Sequence, residues 1–482
     1  MTRETWATRA GFILAAVGSA VGLGNIWRFP WMTANNGGSA FLLLYLGIIL
    51  VVGVPGLLGA FVIGRRSKRN PVGALRSLSG GSRWWGFFGL LAVGTTVLLV
   101  SFYTVVGGWF VRYTVVSVTG GYFASPGGYF TQVSYGLPAF GFALVFLAAT
   151  AAIVYGGVER GIERATKVMM PAIVVLLVAL IAWAFTRPGA MAGVSFFLSP
   201  DLDYLGAHFL DILPAAVGQA LFTLSVGTGT MVTYASYLGE ERSLPADATT
   251  IAVLNTAVGV LAGLLVFPLL FGFDLTDAIQ GSGGAGAIFV SVASAFATLG
   301  VFGRALGVLF FGVVLLAALS SAISMLEIPV AYLVDERGFS RGRATAAMTG
   351  VVVVGAGLCS LDADVFNLFA GTLVNILMPI GLAGFLLFCG WVLGADALAE
   401  YEAGAGSLAR AVGTPWLVLV GALIPVFLLF TVITRLLPAL GVSLGALSMF
   451  GLTVAPSTVV LAAAVVLTVA AALGLRRPGS LV

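Results

Sequence analysis

Long apolar runs alternate with short polar segments along the chain, and this alternation is the dominant pattern of the sequence. A helix needs about 20 predominantly apolar residues to cross the hydrocarbon core of a bilayer. Twelve runs approach or exceed that length, so the pattern predicts an all-α polytopic membrane protein. The predicted spans are residues 11–34, 40–63, 86–112, 137–156, 168–186, 213–237, 249–273, 302–334, 344–361, 365–394, 414–436 and 457–475.

The composition excludes the common classes of soluble protein. Of the 482 residues, 60% are hydrophobic and only 9% are charged, whereas soluble domains carry about 25% charged residues. A soluble enzyme or a nucleic-acid-binding protein of this length would need far more polar surface. Cys359 and Cys389 lie inside apolar runs and His208 is the single histidine, so we expect neither a disulfide framework nor a histidine metal site.

Basic residues are distributed unevenly between the two sides of the predicted spans. Most of the 23 lysines and arginines fall on the side that holds both chain ends, including the run Arg65–Arg69. Loops rich in lysine and arginine stay in the cytoplasm. We therefore expect a multi-pass protein of the cell (plasma) membrane with both termini cytoplasmic. The net charge of +4 has the same origin and indicates no nucleic-acid partner.

Two predicted spans contain glycine and polar residues that interrupt the helix. They are the segments Gly18–Asn25 in the first span and Phe222–Thr230 in the sixth. Close helix packing explains Gly18 and Gly22, but not Gly24 followed by the polar Asn25. Unwound backbone at membrane depth is tolerated where it lines a cavity, and paired interruptions in two halves of a chain indicate a transporter's binding site. The pattern favours a secondary transporter over a channel or a membrane-embedded enzyme.

Further polar side chains lie within the predicted spans: Tyr103, Asn255, Ser320 and Ser321. Serine often bonds to the carbonyls of its own helix, so each residue alone is consistent with a structural role. As a set, neutral oxygens from several helices suit a hard cation such as sodium. Glu327 is an ionisable residue in the eighth span, and the sequence leaves its role open.

Several motifs resemble, in the same order, those of the neurotransmitter:sodium symporters. The likeness runs from residue 3 to about residue 400. The matching segments are Arg3–Arg9, Gly18–Pro30, Asn36–Gly38, Gly161–Arg164, Val217–Ser225 and Thr233–Tyr237.

The resemblance implies an architecture for the whole chain. Helices 1–5 and 6–10 would form an inverted repeat within a transporter core, residues 1–400, with halves 1–190 and 210–400. Helices 1 and 6 would be unwound at mid-membrane. Residues 401–482 would supply two peripheral helices.

The resemblance also implies two sodium ions as cofactors. The first would be bound by Ala20, Asn25, Thr223, Asn255 and the carboxylate of the substrate. The second would be bound by Gly18, Val21, Ala317, Ser320 and Ser321.

The substrate implied by the resemblance is an amino acid held between the two interrupted helices. Tyr103 would bind its carboxylate, and Phe222 and Tyr103 would close over it. The residues implied to contact the substrate are Ala20, Gly22, Gly24, Leu99, Tyr103, Phe222, Thr223, Ser225, Thr228, Ser321 and Met325.

Gates on both sides of the site are implied as well. The outer gate would contain Arg28, with Asn367 or Asp364 as its partner. The inner gate would contain Arg3, Trp6, Ser236, Tyr237 and Asp335.

At several positions the sequence differs from the family pattern, and these differences bear on the predicted substrate and ions. Relatives that carry monoamines have an aspartate at the position of Gly22, so we expect a neutral amino acid. Thr228 replaces a large aromatic residue, Asn367 replaces an aspartate and Ala60 replaces an acid. Gly259 offers neither a serine nor a carboxylate, which leaves chloride dependence open.

The functional prediction is symport of a neutral amino acid with sodium into the cell by alternating access. The chain is expected to be no enzyme, because no nucleophile–base pair or metal cluster is present. The alternative is a sodium-dependent membrane ligand sensor or a channel of the same fold. Partners are sodium, the amino acid and the lipid bilayer.

Overall fold

The computed structural model describes residues 6, 8–239, 242–275, 286–440, 447–449, 452–454 and 456–475. These residues are mostly helical; the strands among them are β1 (Leu447–Met449) and β2 (Leu452–Val454), which form one antiparallel hairpin. The first ten helices are α1 (Arg9–Ala20), α2 (Gly24–Asn35), α3 (Ser39–Ser67), α4 (Pro71–Leu78), α5 (Arg83–Ser117), α6 (Pro126–Val133), α7 (Leu137–Tyr155), α8 (Val158–Ala184), α9 (Ala190–Leu198) and α10 (Leu202–Thr223).

Ten further helices complete the described chain. Some of the long helices contain π-helical turns, as α2 does at its start. The helices are α11 (Thr230–Ala235), α12 (Leu244–Gly272), α13 (Ala287–Ala297), α14 (Gly300–Arg337), α15 (Arg341–Leu361), α16 (Ala363–Leu393), α17 (Ala395–Glu402), α18 (Ser407–Ala411), α19 (Gly413–Leu437) and α20 (Pro456–Leu475).

Most of the long helices fall where the sequence predicts spans, but α10 begins eleven residues before the predicted sixth span and ends within it. Ten described helices are long and apolar enough to cross a membrane, and α1 with α2 forms an eleventh candidate that bends by 43°. The predicted span at 457–475 coincides with α20, whose described apolar part is shorter, so the count of twelve stays a prediction. The architecture is that of an all-helical, multi-pass membrane protein.

The ends of several helices are set by local sequence. Asn70 accepts hydrogen bonds from the Val72 and Gly73 amides, and Pro71 follows it as the first residue of α4. Asp362 accepts bonds from two amides at the start of α16. Side-chain oxygens at this position satisfy amides that the first helical turn leaves unpaired, and proline there loses nothing.

Burial separates central helices from peripheral ones. Between 61 and 72% of the most apolar window is buried in α3, α5, α12, α14 and α16, against 33% in α7, α8 and α15. The peripheral helices expose valines and leucines such as Val175 and Val354, which is the surface a lipid-facing helix presents. The interrupted helices α1–α2 and α10–α11 pack among the central ones.

Candidate substrate and ion site

The first interruption separates α1 from α2. Helix α1 ends at Ala20, and Val21 is extended at φ −77° and ψ 101°. The Leu23 amide donates to the Tyr103 hydroxyl at 3.1 Å instead of to its own helix. The Ser19 carbonyl accepts from the Ser225 and Ser321 hydroxyls, both at 3.1 Å. The bend therefore releases backbone groups that side chains from three other segments bind.

The second interruption lies between α10 and α11, at residues 224–229. Ser225 has φ +52°, and Gly227 and Gly229 have φ +90° and +80°. Positive φ favours glycine, and a Cβ at Gly227 would also collide with the Met378 carbonyl. Gly227 is thus required both by its backbone angle and by close contact with α16, and Gly229 by its backbone angle and by close contact with Pro71.

One group of neutral oxygens lies beside the first interruption. The Thr223 hydroxyl donates to Asn25 Oδ1 at 3.0 Å and lies 3.3 Å from Asn255 Oδ1. Asn25 Nδ2 donates to the carbonyl and to the Oδ1 of Asn255, at 2.9 and 3.0 Å. All three side chains are at most 1% exposed. They form a buried group of oxygens without formal charge, the kind that suits a hard monovalent cation.

A second group of oxygens joins α14 to the same interruption. Ser320 Oγ lies 3.2 Å from the Val21 carbonyl and 2.9 Å from the Ala317 carbonyl. A hydroxyl has one proton to donate, so three oxygens share a single hydrogen. Gly18 and Ser321 are buried nearby, but the Ser321 hydroxyl bonds to the Ser19 carbonyl. A cation at this position would attract the oxygens that share this single hydrogen.

Gly22 and Gly24 lie in close contact with side chains of α5, α10 and α14. A Cβ at Gly22 would overlap Ser321 Oγ and would lie 2.8 Å from the Tyr103 hydroxyl. A Cβ at Gly24 would lie 3.0 Å from the Phe222 ring. A larger residue at either position would therefore displace Ser321, Tyr103 or Phe222.

The residues predicted to shape the substrate's side-chain pocket are also buried. Leu99 and Met325 are 2% and 6% exposed. The Thr228 hydroxyl bonds to the Ser225 carbonyl at 3.1 Å and to Thr230 at 2.8 Å, while Thr96 donates to the Thr228 carbonyl. Because the backbone and Thr230 use its hydroxyl, Thr228 adds little free polarity to this pocket.

Arg28 faces a separate cavity of about 300 Å³, which we name the Arg28 cavity. Its guanidinium donates to the Gly218 carbonyl and the Gln219 amide oxygen, and lies 5.1 Å above the Phe222 ring. Asn367 lines this cavity, but neither it nor Asp364 pairs with Arg28 in the described chain. The predicted latch stays a prediction for a conformation in which the cavity is closed.

At the opposite end, Trp6 packs among aromatic residues. Trp6 donates to the Tyr234 carbonyl at 3.0 Å and packs edge-on against Tyr234 and Tyr237. Ser236 donates to the Thr233 carbonyl. Asp335 accepts from the backbone amide and side chain of Asn70. Arg3 lies outside the described residues.

Glu327 belongs to a buried ion pair near this end. Its carboxylate accepts two hydrogen bonds from Arg341, at 2.6 and 3.2 Å, and one from the Tyr237 hydroxyl at 3.0 Å. Glu327 is fully buried, whereas the Arg341 side chain is 20% exposed. The cluster connects α14, the start of α15 and the segment that follows α11.

Sequence reasoning missed two of the residues in these networks. Gln219 donates to the Gly24 carbonyl at 2.7 Å and accepts from Arg28; a lone amide inside an apolar run was the available signal. Arg341 lies in a basic loop, and nothing in its local sequence indicates that it reaches Glu327. In the described residues no cluster of histidine, cysteine or acidic side chains could hold a metal ion.

Comparison with known proteins shows the family to which this fold belongs. The sequence profile of the Sodium:neurotransmitter symporter family matches residues 3–123 and 133–379. The chain belongs to this family and is a sodium-dependent symporter of it.

Individual relatives cover most of the chain. An uncharacterised sodium-dependent transporter of Methanocaldococcus jannaschii is 34% identical over 451 residues, 89% of each chain. Another, from Bacillus subtilis, is 36% identical over 405 residues, 80% of this chain and 86% of the relative. The solved structure of MhsT in complex with L-phenylalanine matches with a TM-score of 0.80 and 36% identity, over 90% of this chain and all of that one.

Proposed function

We propose that the protein carries a neutral amino acid together with sodium into the cell by alternating access. The observation that carries the proposal is the pair of neutral oxygen groups beside the first interruption, around Asn25 and around Ser320. Each group would hold one sodium ion. Gradient-driven sodium binding would stabilise the interrupted segments in their substrate-binding form, and this coupling would drive uptake.

The substrate would lie between Gly22 and Gly24 on one side and Phe222, Thr223 and Ser225 on the other. Its carboxylate would accept a hydrogen bond from Tyr103 and would bind the sodium ion held by Asn25. The side-chain pocket of Leu99, Thr228 and Met325 has no full charge, which disfavours acidic and basic side chains. MhsT was solved with L-phenylalanine, so large apolar amino acids are the first candidates to test.

Alternating access would use two five-helix halves, residues 1–190 and 210–400, with residues 401–482 peripheral. Both chain ends would lie in the cytoplasm, as the basic loops indicate. The Arg28 cavity would then face outward, and Trp6, Ser236, Tyr237 and Asp335 would close the inner side. A Cβ added at Gly259 would lie 3.6 Å from Asn25 Nδ2, which is an ordinary contact. Uptake measured with and without chloride tests whether transport depends on chloride.

The Asn255→Leu substitution tests the first sodium group. We expect sodium activation of uptake to weaken roughly tenfold or more, because losing one buried polar partner costs about 1–3 kcal/mol. The measurement is uptake of labelled L-phenylalanine and other neutral amino acids into proteoliposomes over a range of sodium concentrations. Asn35→Leu makes the same change at an exposed position and should leave the sodium dependence unchanged.

Two outcomes would contradict the proposal. If Asn255→Leu and Ser321→Ala both kept the wild-type sodium dependence, the oxygens would not bind the coupling ion. If a labelled amine accumulated and no amino acid competed, the substrate class would be wrong. A sensor or a channel would bind ligand without concentrating it, so accumulation against a gradient separates these alternatives.

A further inference from the structure

The Arg28 cavity contains a second arginine. Arg435, on α19, lines it opposite the interrupted helix α2. The remaining walls include the rings of Trp27, Trp31 and Phe222 and the amides of Asn367 and Asn375. None of the described residues lining the cavity is acidic.

Among the described residues, the two guanidinium groups have few partners and no acidic one. Arg28 bonds to the Gly218 carbonyl and the Gln219 amide oxygen, both of which are neutral. Arg435 makes no hydrogen bond or ion pair with any described residue. Because Arg435 and Arg28 line the same cavity, their like charges repel each other. A guanidinium offers five N–H donors, and most of the ten in this cavity have no acceptor in the part of the chain that the structure describes.

Desolvated charges of one sign are costly unless an opposite charge accompanies them. The cavity is about 300 Å³, near the lower limit of roughly 300–1,000 Å³ for small-molecule sites. It can therefore admit a small solute together with water. Its ring-lined walls and amide donors suit an anion with a compact charged group.

We propose that the Arg28 cavity binds a halide ion between Arg28 and Arg435. The anion would offset the repulsion between the two arginines and tie α19 to α2. Phe222 lies under Arg28, so the bound anion would also steady the ring that borders the central site. This site is separate from the oxygen groups around Asn25 and Ser320.

Iodide quenching of Trp27 and Trp31 measures binding at this site directly. The probe is iodide, titrated into the purified full-length protein at constant sodium, with neutral acrylamide as the comparison quencher. The Trp27→Phe/Trp31→Phe variant identifies the part of the signal that comes from the cavity. We expect that part to saturate with iodide but not with acrylamide.

Variants of the two arginines test the assignment. Arg435→Gln and Arg28→Gln should each weaken iodide binding about tenfold or more, since hydrogen bonds to charged groups contribute about 1.5–3 kcal/mol. Arg435→Lys should retain part of it. Arg304→Gln removes an exposed arginine at the start of α14 and should change nothing. Non-saturating quenching, or saturation that survives Arg435→Gln, would overturn the proposal.

Competition tests the halide assignment. Displacement of iodide by chloride alone supports it. Displacement by a neutral amino acid in the Asn255→Leu background, where the central site is impaired, would overturn it. Both competition experiments measure binding, and neither requires transport. The anion site can therefore be disproved while the proposed symport stands, and the reverse also holds.

Discussion

Replacing Glu327 with glutamine is expected to lower the free energy of unfolding by about 3–5 kcal/mol, because it leaves the Arg341 charge without its buried partner. Glu327 is fully buried, and its two carboxylate oxygens accept from Arg341 and Tyr237. Glutamine keeps the size and one acceptor but not the charge. The measurement is the thermal unfolding midpoint of the purified protein in detergent, followed by chemical unfolding.

Asp396→Asn is the matched control for this acid-to-amide change. Asp396 pairs with Arg66 at 2.9 Å, but their side chains are 64% and 32% exposed. Water-exposed ion pairs contribute only about 0–1 kcal/mol, so this variant should stay close to wild type. The double variant Glu327→Gln/Arg341→Gln should recover part of the loss. If Glu327→Gln were as mild as Asp396→Asn, the ion pair would not stabilise the fold.

Loss of this pair should also reduce uptake. Tyr237 follows α11, the short helix after the second interruption, and the carboxylate connects that segment to α14 and α15. A segment that is held less firmly would close the inner side less often. Uptake measured at equal amounts of folded protein separates this effect from lower stability.

The substitution Gly22→Ala is expected to reduce sodium-driven uptake roughly ten- to a hundredfold, since overpacking a buried site costs about 1–3 kcal/mol. The added methyl group would overlap Ser321 Oγ and lie 2.8 Å from the Tyr103 hydroxyl. Tyr103 could not keep its hydrogen bond to the Leu23 amide and also make room. Helix propensity alone would predict that Gly22→Ala stabilises the protein, because alanine is about 1 kcal/mol more favourable than glycine within a helix.

Gly259→Ala provides the control for Gly22→Ala. It adds the same methyl group close to Asn25, where the nearest atom is 3.6 Å away, an ordinary contact. Uptake and amino-acid binding by this variant should resemble wild type. A Gly22→Ala protein that binds and carries substrate normally would show that the space beside Gly22 is not part of the site.

The sequence by itself predicted most of the long apolar helices and the places where α1 and α10 end. Both are local properties: about 20 apolar residues suffice to cross a bilayer, and glycine with polar residues inside such a run weakens the helix wherever it lies. The predicted interruptions at Gly18–Asn25 and Phe222–Thr230 coincide with the ends of α1 and α10. The choice of ion and substrate residues came from the resemblance to a family, not from periodicity.

Only the tertiary structure decided which polar groups meet. Asn25 and Asn255 are 230 residues apart and share hydrogen bonds, while Arg28 turns toward Gln219 rather than Asp364 or Asn367. Glu327 forms an ion pair with Arg341, and Arg435 and Arg28 line one cavity. The physical reason is that helices apolar on every face carry no amphipathic pattern to indicate which side is buried. Their few polar side chains find partners through packing between distant segments, and that packing fixes the site.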